Sequence, residues 1–217
     1  MSLLVDSSLR KKMFACPGKV EANKIARSNF MADLSGDAVG LLGPLDGMFY
    51  LECGFEQEQI KVVEKERSPN LVSLRADFLD AGFDLDKIIF EHDDVFNYLK
   101  RVPDRSISAL FLDLFGWAPL LPKTFSGVDT SIIELIASKL SDTFHFQHTY
   151  AQHGEGFWGK RSIRDQRRYG SSPYEAVHGV MSEVLAPRGL SLTPPVFVPY
   201  MGDKSKMYTS SFAGTPA

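Results

Sequence analysis

Acidic side chains stand where three apolar runs stop. Glu64 closes Ile60–Val63, Asp93 and Asp94 follow the run Lys87–Glu91, and Asp113 closes Ile107–Leu112. A carboxylate at such a place can accept hydrogen bonds from hydroxyl or amine donors of a ligand. The first short apolar run ends in G40-L-L-G-P-L-D-G47. Glycine there lets backbone approach a ligand, and the helix start that follows offers free amides. The spacing is neither G-x-G-x-x-G nor G-x-x-x-x-G-K-[ST], which disfavours both standard phosphate loops. The same stretch reads equally well as a tight turn. Glu64 follows it by about twenty residues, the separation at which an acid reaches both hydroxyls of a ribose. The plainer reading pairs Glu64 with Lys61, Lys65 or Arg67. One of Asp93 and Asp94 suits the N-cap of a following helix. The other could accept from an adenine amine, with Val95 as an apolar wall. Asp113 leads into Leu114-Phe115-Gly116-Trp117, which would overhang the reacting end of a ligand. Alternatively, Asp113 caps a turn and Trp117 packs on the sheet edge.

A second chemistry is suggested by residues 154–170. Lys160, Arg161, Arg164, Arg167 and Arg168 alternate there with Phe157, Trp158 and Tyr169. Arg161, Arg164 and Arg168 share a helical face by their spacing. Arginine interleaved with aromatics suits a phosphate backbone and stacked bases; a solvated face or an intersubunit surface would use the same residues. His145, His148 and His153 are close in sequence, but on a strand the first two point to opposite faces. With no cysteine pair nearby no metal site is expected, and the histidines read as packing and hydrogen-bonding groups, with a substrate contact by one of them as the alternative.

The elements that must hold these groups follow from periodicity. A 3.6-residue pattern over 18–34 predicts a helix stopped by Ser35-Gly36-Asp37. Residues 38–42 read as a buried strand, 46–52 as a short helix ended by Gly54, and 60–64 as a strand. A helix over 70–80 ended by Gly82, a strand over 87–91 and a short helix over 94–100 come next. Ile107–Asp113 is a strong strand, 129–140 a helix capped by Asp129 or Thr130, and 144–150 a strand. Residues 196–201 and 207–212 read as an antiparallel hairpin. Strands alternating with helices predict an α/β fold with a doubly wound, mainly parallel sheet. Its ligand belongs outside the carboxyl ends of the strands, where strand order reverses.

Composition sets the bounds. The 217 residues are 44% hydrophobic and 24% charged, an ordinary globular balance that excludes general disorder. They read as one domain over 1–217, with a helical extension over 1–36 and a basic insertion over 151–195. The net charge of −3 is uneven: residues 1–150 hold 16 Lys/Arg against 22 Asp/Glu, and residues 151–217 hold 8 against 5. An anionic partner therefore belongs with the latter part. Cys16 and Cys53 are too few for a disulfide framework and read as reduced thiols. No apolar run reaches the ~18 residues of a membrane span, and the opening residues lack a signal-peptide core. A cytoplasmic protein, of a cell or an infected host, is the expectation.

The order of loop, Glu64, Asp93/Asp94 and Asp113 along the strands resembles the Rossmann-like (class I) S-adenosylmethionine-dependent methyltransferases over residues 17–150. The stretch PGK…IARSNFMADL…AVGLLGP is similar to divergent viral or archaeal-type members, whose first loop departs from the usual glycine pattern. The resemblance implies a seven-stranded sheet whose hairpin supplies the antiparallel sixth and seventh strands. It implies S-adenosylmethionine as cofactor, with Leu42, Gly43, Pro44 and Gly47 at the methionine end. Glu64 with Lys65 would lie at the ribose, Asp93, Asp94 and Val95 at the adenine, and Asp113 near the methyl as the catalytic candidate. Trp117, Arg161, Arg164 and Arg168 would meet the substrate, a nucleic acid or a protein; no membrane is implied, and a homo-oligomer is compatible. The D/N-P-P-Y/F motif of amino-methylating enzymes is replaced by D-L-F-G, which counts against methylation of a base amine. A methyltransferase fold retained as a binding or structural subunit, including a viral one, is the alternative. A nicotinamide-dependent oxidoreductase ranks below both for want of the glycine fingerprint.

Overall fold

The computed structural model describes residues 17–65, 69–113, 120–121, 123–124, 127–151, 172–201 and 206–217. The first half runs α1 (Pro17–Ala26), β1 (Asp37–Gly40), α2 (Pro44–Glu52), β2 (Ile60–Glu64), α3 (Pro69–Asp80), β3 (Ile89–His92), α4 (Val95–Arg101) and β4 (Ile107–Asp113). A two-stranded ribbon, β5 (Lys123–Thr124) and β6 (Gly127–Val128), precedes α5 (Ser131–Lys139) and β7 (Leu140–Ala151). The chain continues through α6 (Pro173–Leu185), β8 (Leu190–Leu192), β9 (Val196–Met201) and β10 (Lys206–Pro216).

The main sheet has the order β3-β2-β1-β4-β7-β10-β8, with β9 also on β10. Pairings from β3 to β7 are parallel. Only β10 opposes the rest, pairing antiparallel with β7, β8 and β9. This is the doubly wound sheet with a terminal hairpin that the sequence predicts. Its seventh position is split between β8 and β9. Pro194 and Pro195 divide them, because proline has no amide to give the ladder. Thr193 stitches the gap: its amide donates to the Ala213 carbonyl at 2.9 Å, and its Oγ1 accepts from the Ala213 amide at 2.9 Å.

Side chains alternate along the central strands and feed two cores. Ala38, Ile60, Val62, Ala109 and Phe111 lie on one face with Tyr50 of α2 and Leu74 and Phe78 of α3. Val39, Val63, Leu110, Leu112, Phe144 and Phe146 lie on the other with helices α4, α5 and α6. Both faces of the sheet being covered, the strands read as continuous apolar runs. Gly40 lets β1 and β4 approach this closely: a Cβ there would stand 2.1 Å from the Phe111 carbonyl oxygen.

Several boundaries differ from the sequence expectation. The first helix stops at Ala26 instead of continuing to 34, and Ser28 and Phe30 donate to the Ile25 and Arg27 carbonyls in turns. Its buried side is Lys19, Ala22, Asn23 and Ala26, whereas Ile25 and Leu34 are exposed. Strand β7 begins at Leu140, and a register shift between Ile107 and Ala109 absorbs the extra residues. Within the stretch expected as an insertion, residues 152–171 lie outside the described residues. Helix α6, in the same stretch, is part of the core: Ala176, Val177, Val180 and Met181 are buried.

His145 and His148 do point to opposite faces. His145 sits 4.8 Å from the Phe30 ring, and His148 lies between Phe146 and Tyr150. Burial holds both imidazoles neutral. It pushes His148 down to about 4 and, with Arg27 nearby, His145 down to about 3. In the unfolded chain each takes a proton near pH 6.5. Their contribution to stability is therefore complete above that pH and is lost as pH falls towards 4. The slope is up to about 1.4 kcal/mol per pH unit for each group. Urea unfolding between pH 7 and 4.5 should show this decline, and His148→Phe, among aromatic neighbours, should flatten it. An unchanged slope would exclude His148 as a source.

Candidate functional site

Strands β1, β2 and β3 succeed one another outward, and β4 then returns to the other side of β1. Strand order therefore reverses between β1 and β4, which is where such sheets open a crevice beyond their carboxyl ends. The acidic residues singled out in the sequence fall along that edge. Glu64 ends β2 and pairs in register with His92 of β3. Its carbonyl accepts from the Asp93 amide at 3.1 Å, placing the turn at 93–95 beside it. Asp113 ends β4.

Each position has a defined local task. Asp94 is the N-cap of α4, accepting from the Phe96 amide at 2.9 Å, and Lys65 lies 3.0 Å from its carboxylate. Burial of Asp94 works against its charge, but Lys65 and the Phe96 amide outweigh it and lower the pKa. Asp93 accepts from the Asp94 amide and pairs with the half-exposed Arg101 at 2.5 Å. Glu64 is not without a partner; of the cations that a plain reading gives it, Lys61 also lies against Asp37 and Lys65 against Asp94, and Arg67 lies outside the described residues. Gly43 is the N-cap residue of α2 and Pro44 its first residue. The Asp46 carboxylate folds back to accept from the Gly43 amide at 2.9 Å. Leu42 is fully buried in the aromatic core. Gly47 is also turned inward: a Cβ there would stand 2.8 Å from the Phe78 ring. Leu42 and Gly47 thus anchor the loop in the core, and the Gly43 amide is engaged by Asp46. Trp117, Arg161, Arg164 and Arg168 lie outside the described residues.

The sequence reading did not anticipate that α1 closes this edge with two buried cations. Lys19 forms an ion pair with Asp113, which also accepts a hydrogen bond from Thr149 of β7. Two turns on, Arg27 donates to Asp46 at 2.7 Å and to Gln147 at 2.9 Å. Gln147 in turn donates to Asn23 and Thr209, at 2.8 and 3.0 Å. The Arg27 guanidinium lies 4.8 Å from the Phe49 ring centre and 5.4 Å from that of Phe111. Burial disfavours its charge, but the Asp46 carboxylate, with Tyr50 and Cys53, outweighs that and raises its pKa. One helix thereby grips a carboxylate on each side of the reversal point, Asp46 after β1 and Asp113 at the end of β4. The signal was present in the sequence as Lys19, Asn23 and Arg27 at four-residue spacing, alongside Ala22 and Ala26. It reads as an ordinary solvated face until the burial is seen.

Among the described residues no group of three or more His, Cys, Asp or Glu side chains could hold a metal. No described helix is long and apolar enough to cross a membrane.

No protein-family model matches the chain. No curated protein matches its sequence. Its structure is similar to that of the N-methyltransferase NodS from Bradyrhizobium japonicum in complex with S-adenosyl-L-homocysteine. The TM-score is 0.51 at 11% identity, over 99% of this chain and 94% of that one. A putative O-methyltransferase from Klebsiella pneumoniae gives 0.50 at 15% identity, over 94% and 81%. Trm1 from Pyrococcus horikoshii, in complex with S-adenosyl-L-methionine, gives 0.51 at 15% identity, over 84% of this chain and 51% of that one. The likeness establishes the fold as the Rossmann-like methyltransferase fold.

The Lys19–Asp113 pair gives a direct test of how α1 is held. Removing one member of a buried pair strands the other, at a cost of about 3–5 kcal/mol, whereas an apolar replacement of both is close to neutral. Lys19→Met and Asp113→Leu should each lower the thermal midpoint by roughly 6–20 °C for a chain of this size. The double variant should recover at least half of that loss. Additive losses would show that the two side chains act separately.

Proposed function

We propose that the chain binds S-adenosylmethionine along the carboxyl edge of β4, β1, β2 and β3 and transfers its methyl group to a nucleic acid or a protein. The observation that carries this reading is the placement of Asp113, the Leu42–Pro44 loop, Glu64 and the 93–95 turn on four successive strand ends. Three strand spacings separate the first from the last, about 14 Å, which suits an elongated ligand lying across them. The fold similarity to proteins whose structures hold S-adenosylmethionine or S-adenosylhomocysteine supports it.

The groups present fit that ligand. Glu64 can accept from two ribose hydroxyls. Asp93 holds the Asp94 amide with one oxygen, and the other has a half-exposed arginine to release before it accepts from an adenine amine; Val95 supplies an apolar wall beside it. Asp94 is committed to the helix cap, so Asp93 is the better acceptor of the two. Lys65, on Asp94, belongs to the rim of this pocket. When bound, the cofactor supplies a methyl group on a cationic sulfonium, open to in-line displacement. Transfer of that kind asks the protein chiefly for alignment and exclusion of water. Asp113, buried and bonded to Lys19 and Thr149, is the carboxylate that would lie nearest that positive charge and position the reacting end. The acceptor reading rests on the sequence of 160–168, where five cations meet one acidic residue between aromatic neighbours.

One observation favours a second reading. Lys19 already neutralises Asp113, as it would in a methyltransferase fold kept as a binding or structural subunit.

Isothermal calorimetry separates the two. The native chain should bind S-adenosylmethionine, and Glu64→Ala should weaken it at least tenfold, the worth of a hydrogen bond to a charged group. No measurable binding by the native chain would leave the subunit reading standing. Reversing Arg164 and Arg168 to Glu should weaken retention on a phosphate-rich polymer such as RNA at low salt. Unchanged retention would remove the basic segment from the acceptor surface.

A further inference from the structure

A cavity lies in the crease between α1 and α2. It encloses about 250 Å³ and is lined by Val20, Asn23, Lys24 and Arg27 on one side. Leu45, Asp46, Met48, Phe49 and Glu52 line the other. Each stripe spans eight residues, or seven helical rises, so the cleft is about 10 Å long at 1.5 Å per residue. It holds about eight waters at the ~30 Å³ each takes in the liquid, which is too small for a nucleotide and right for two fused rings.

The walls and floor differ in character. Leu45 and Met48 are solvent-exposed at the lip, 51% and 42%, so the mouth is apolar and accessible. Phe49 forms one wall, with Phe30 packed edge-on against it at 5.1 Å. Polar groups at the floor are donors. Arg27, only 7% exposed, uses Nε and one amino group on Gln147 and Asp46; its other amino group has no partner among the described residues. Asn23 uses its oxygen to accept from Gln147, leaving its amide hydrogens. Both Asp46 oxygens are already engaged, by Arg27 and by the Gly43 amide. At the floor the remaining donors of Arg27 and Asn23 select a ligand with an accepting head, while the Glu52 carboxylate lies on the exposed side of α2.

The geometry points to this crease as a binding site for a small flat apolar molecule carrying a carboxylate. Its rings lie against Phe49 and Met48, and its carboxylate meets Arg27 and Asn23. The site shares Arg27 and Asp46 with the reversal point, but Glu64, Asp93, Val95 and Asp113 are not in its lining, so it does not rest on the methyltransferase reading.

Calorimetry with 2-naphthoate on the full chain tests it. The native protein should bind 2-naphthoate at least tenfold more tightly than 2-naphthalenemethanol, which has the same rings and no charge. Met48→Trp fills the cleft from an exposed position, so folding is spared, and should weaken 2-naphthoate at least tenfold. Saturating S-adenosylmethionine should leave the 2-naphthoate affinity unchanged. No binding, binding indifferent to Met48→Trp, or equal affinity for the alcohol would overturn the proposal. Competition by S-adenosylmethionine would overturn the separateness of the site.

Discussion

The Arg27–Asp46 pair holds the reversal point together. It joins the helix before the sheet to the first turn after β1, and Gln147 ties the same guanidinium to β7. Three segments far apart in sequence meet on one planar cation. The choice of arginine has a physical reason: its fork of donors satisfies a carboxylate and an amide at once, while its flat faces rest on Phe49 and Phe111. A lysine would offer a point charge and no stacking plane. Such a buried pair gives little net stability, since both ions were desolvated to form it. What it fixes is position, because α1 has few other arrangements that satisfy both Lys19 and Arg27.

The apolar part of the structure supplies the complementary strength. Strands β1, β2 and β4 send alternate residues to two cores, so each central strand is held from above and below. The edge of that rigid sheet is where the carboxylates stand. Side chains at strand ends escape burial in the core while inheriting the spacing of the strands, and four separate loops can therefore act on one ligand. Helix α1 has a thin apolar contact of its own, Ala22 and Ala26 on Val198. Its docking consequently leans on polar bonds, including that from Ser211 to the Ala26 carbonyl.

Much of this was legible in the sequence, and the failures have causes. Runs such as Ile107–Leu112 can only be strands buried on both faces, and β2 and β4 lie where the pattern puts them. The glycines at 54 and 82 end their helices with positive φ, as their position after each apolar stripe implies. The first helix was misjudged because Val20, Ile25, Phe30 and Leu34 imitate an amphipathic stripe, whereas the inward face is built of alanines and long polar residues. Periodicity counts hydrophobes and is blind to a buried cation whose partner is a hundred residues away. For the same reason the strand-end acids were found and their countercharges were not. Strand β8 is three residues long and escapes any pattern.

Strand β10 lies between β7 and the β8–β9 pair, yet it follows every other described element in the chain. During synthesis, β7 must wait with one long edge open until β10 emerges. An open edge of twelve residues is a template for pairing with other chains. The bond from Ser211 to α1 cannot form earlier either, so the first described helix gains one of its bonds among the last. A nascent chain halted before β10 has an unpaired edge on β7 and lacks the Ser211 bond to α1. Chaperone demand should be greatest in that interval, set by the order in which the ribosome delivers the sheet.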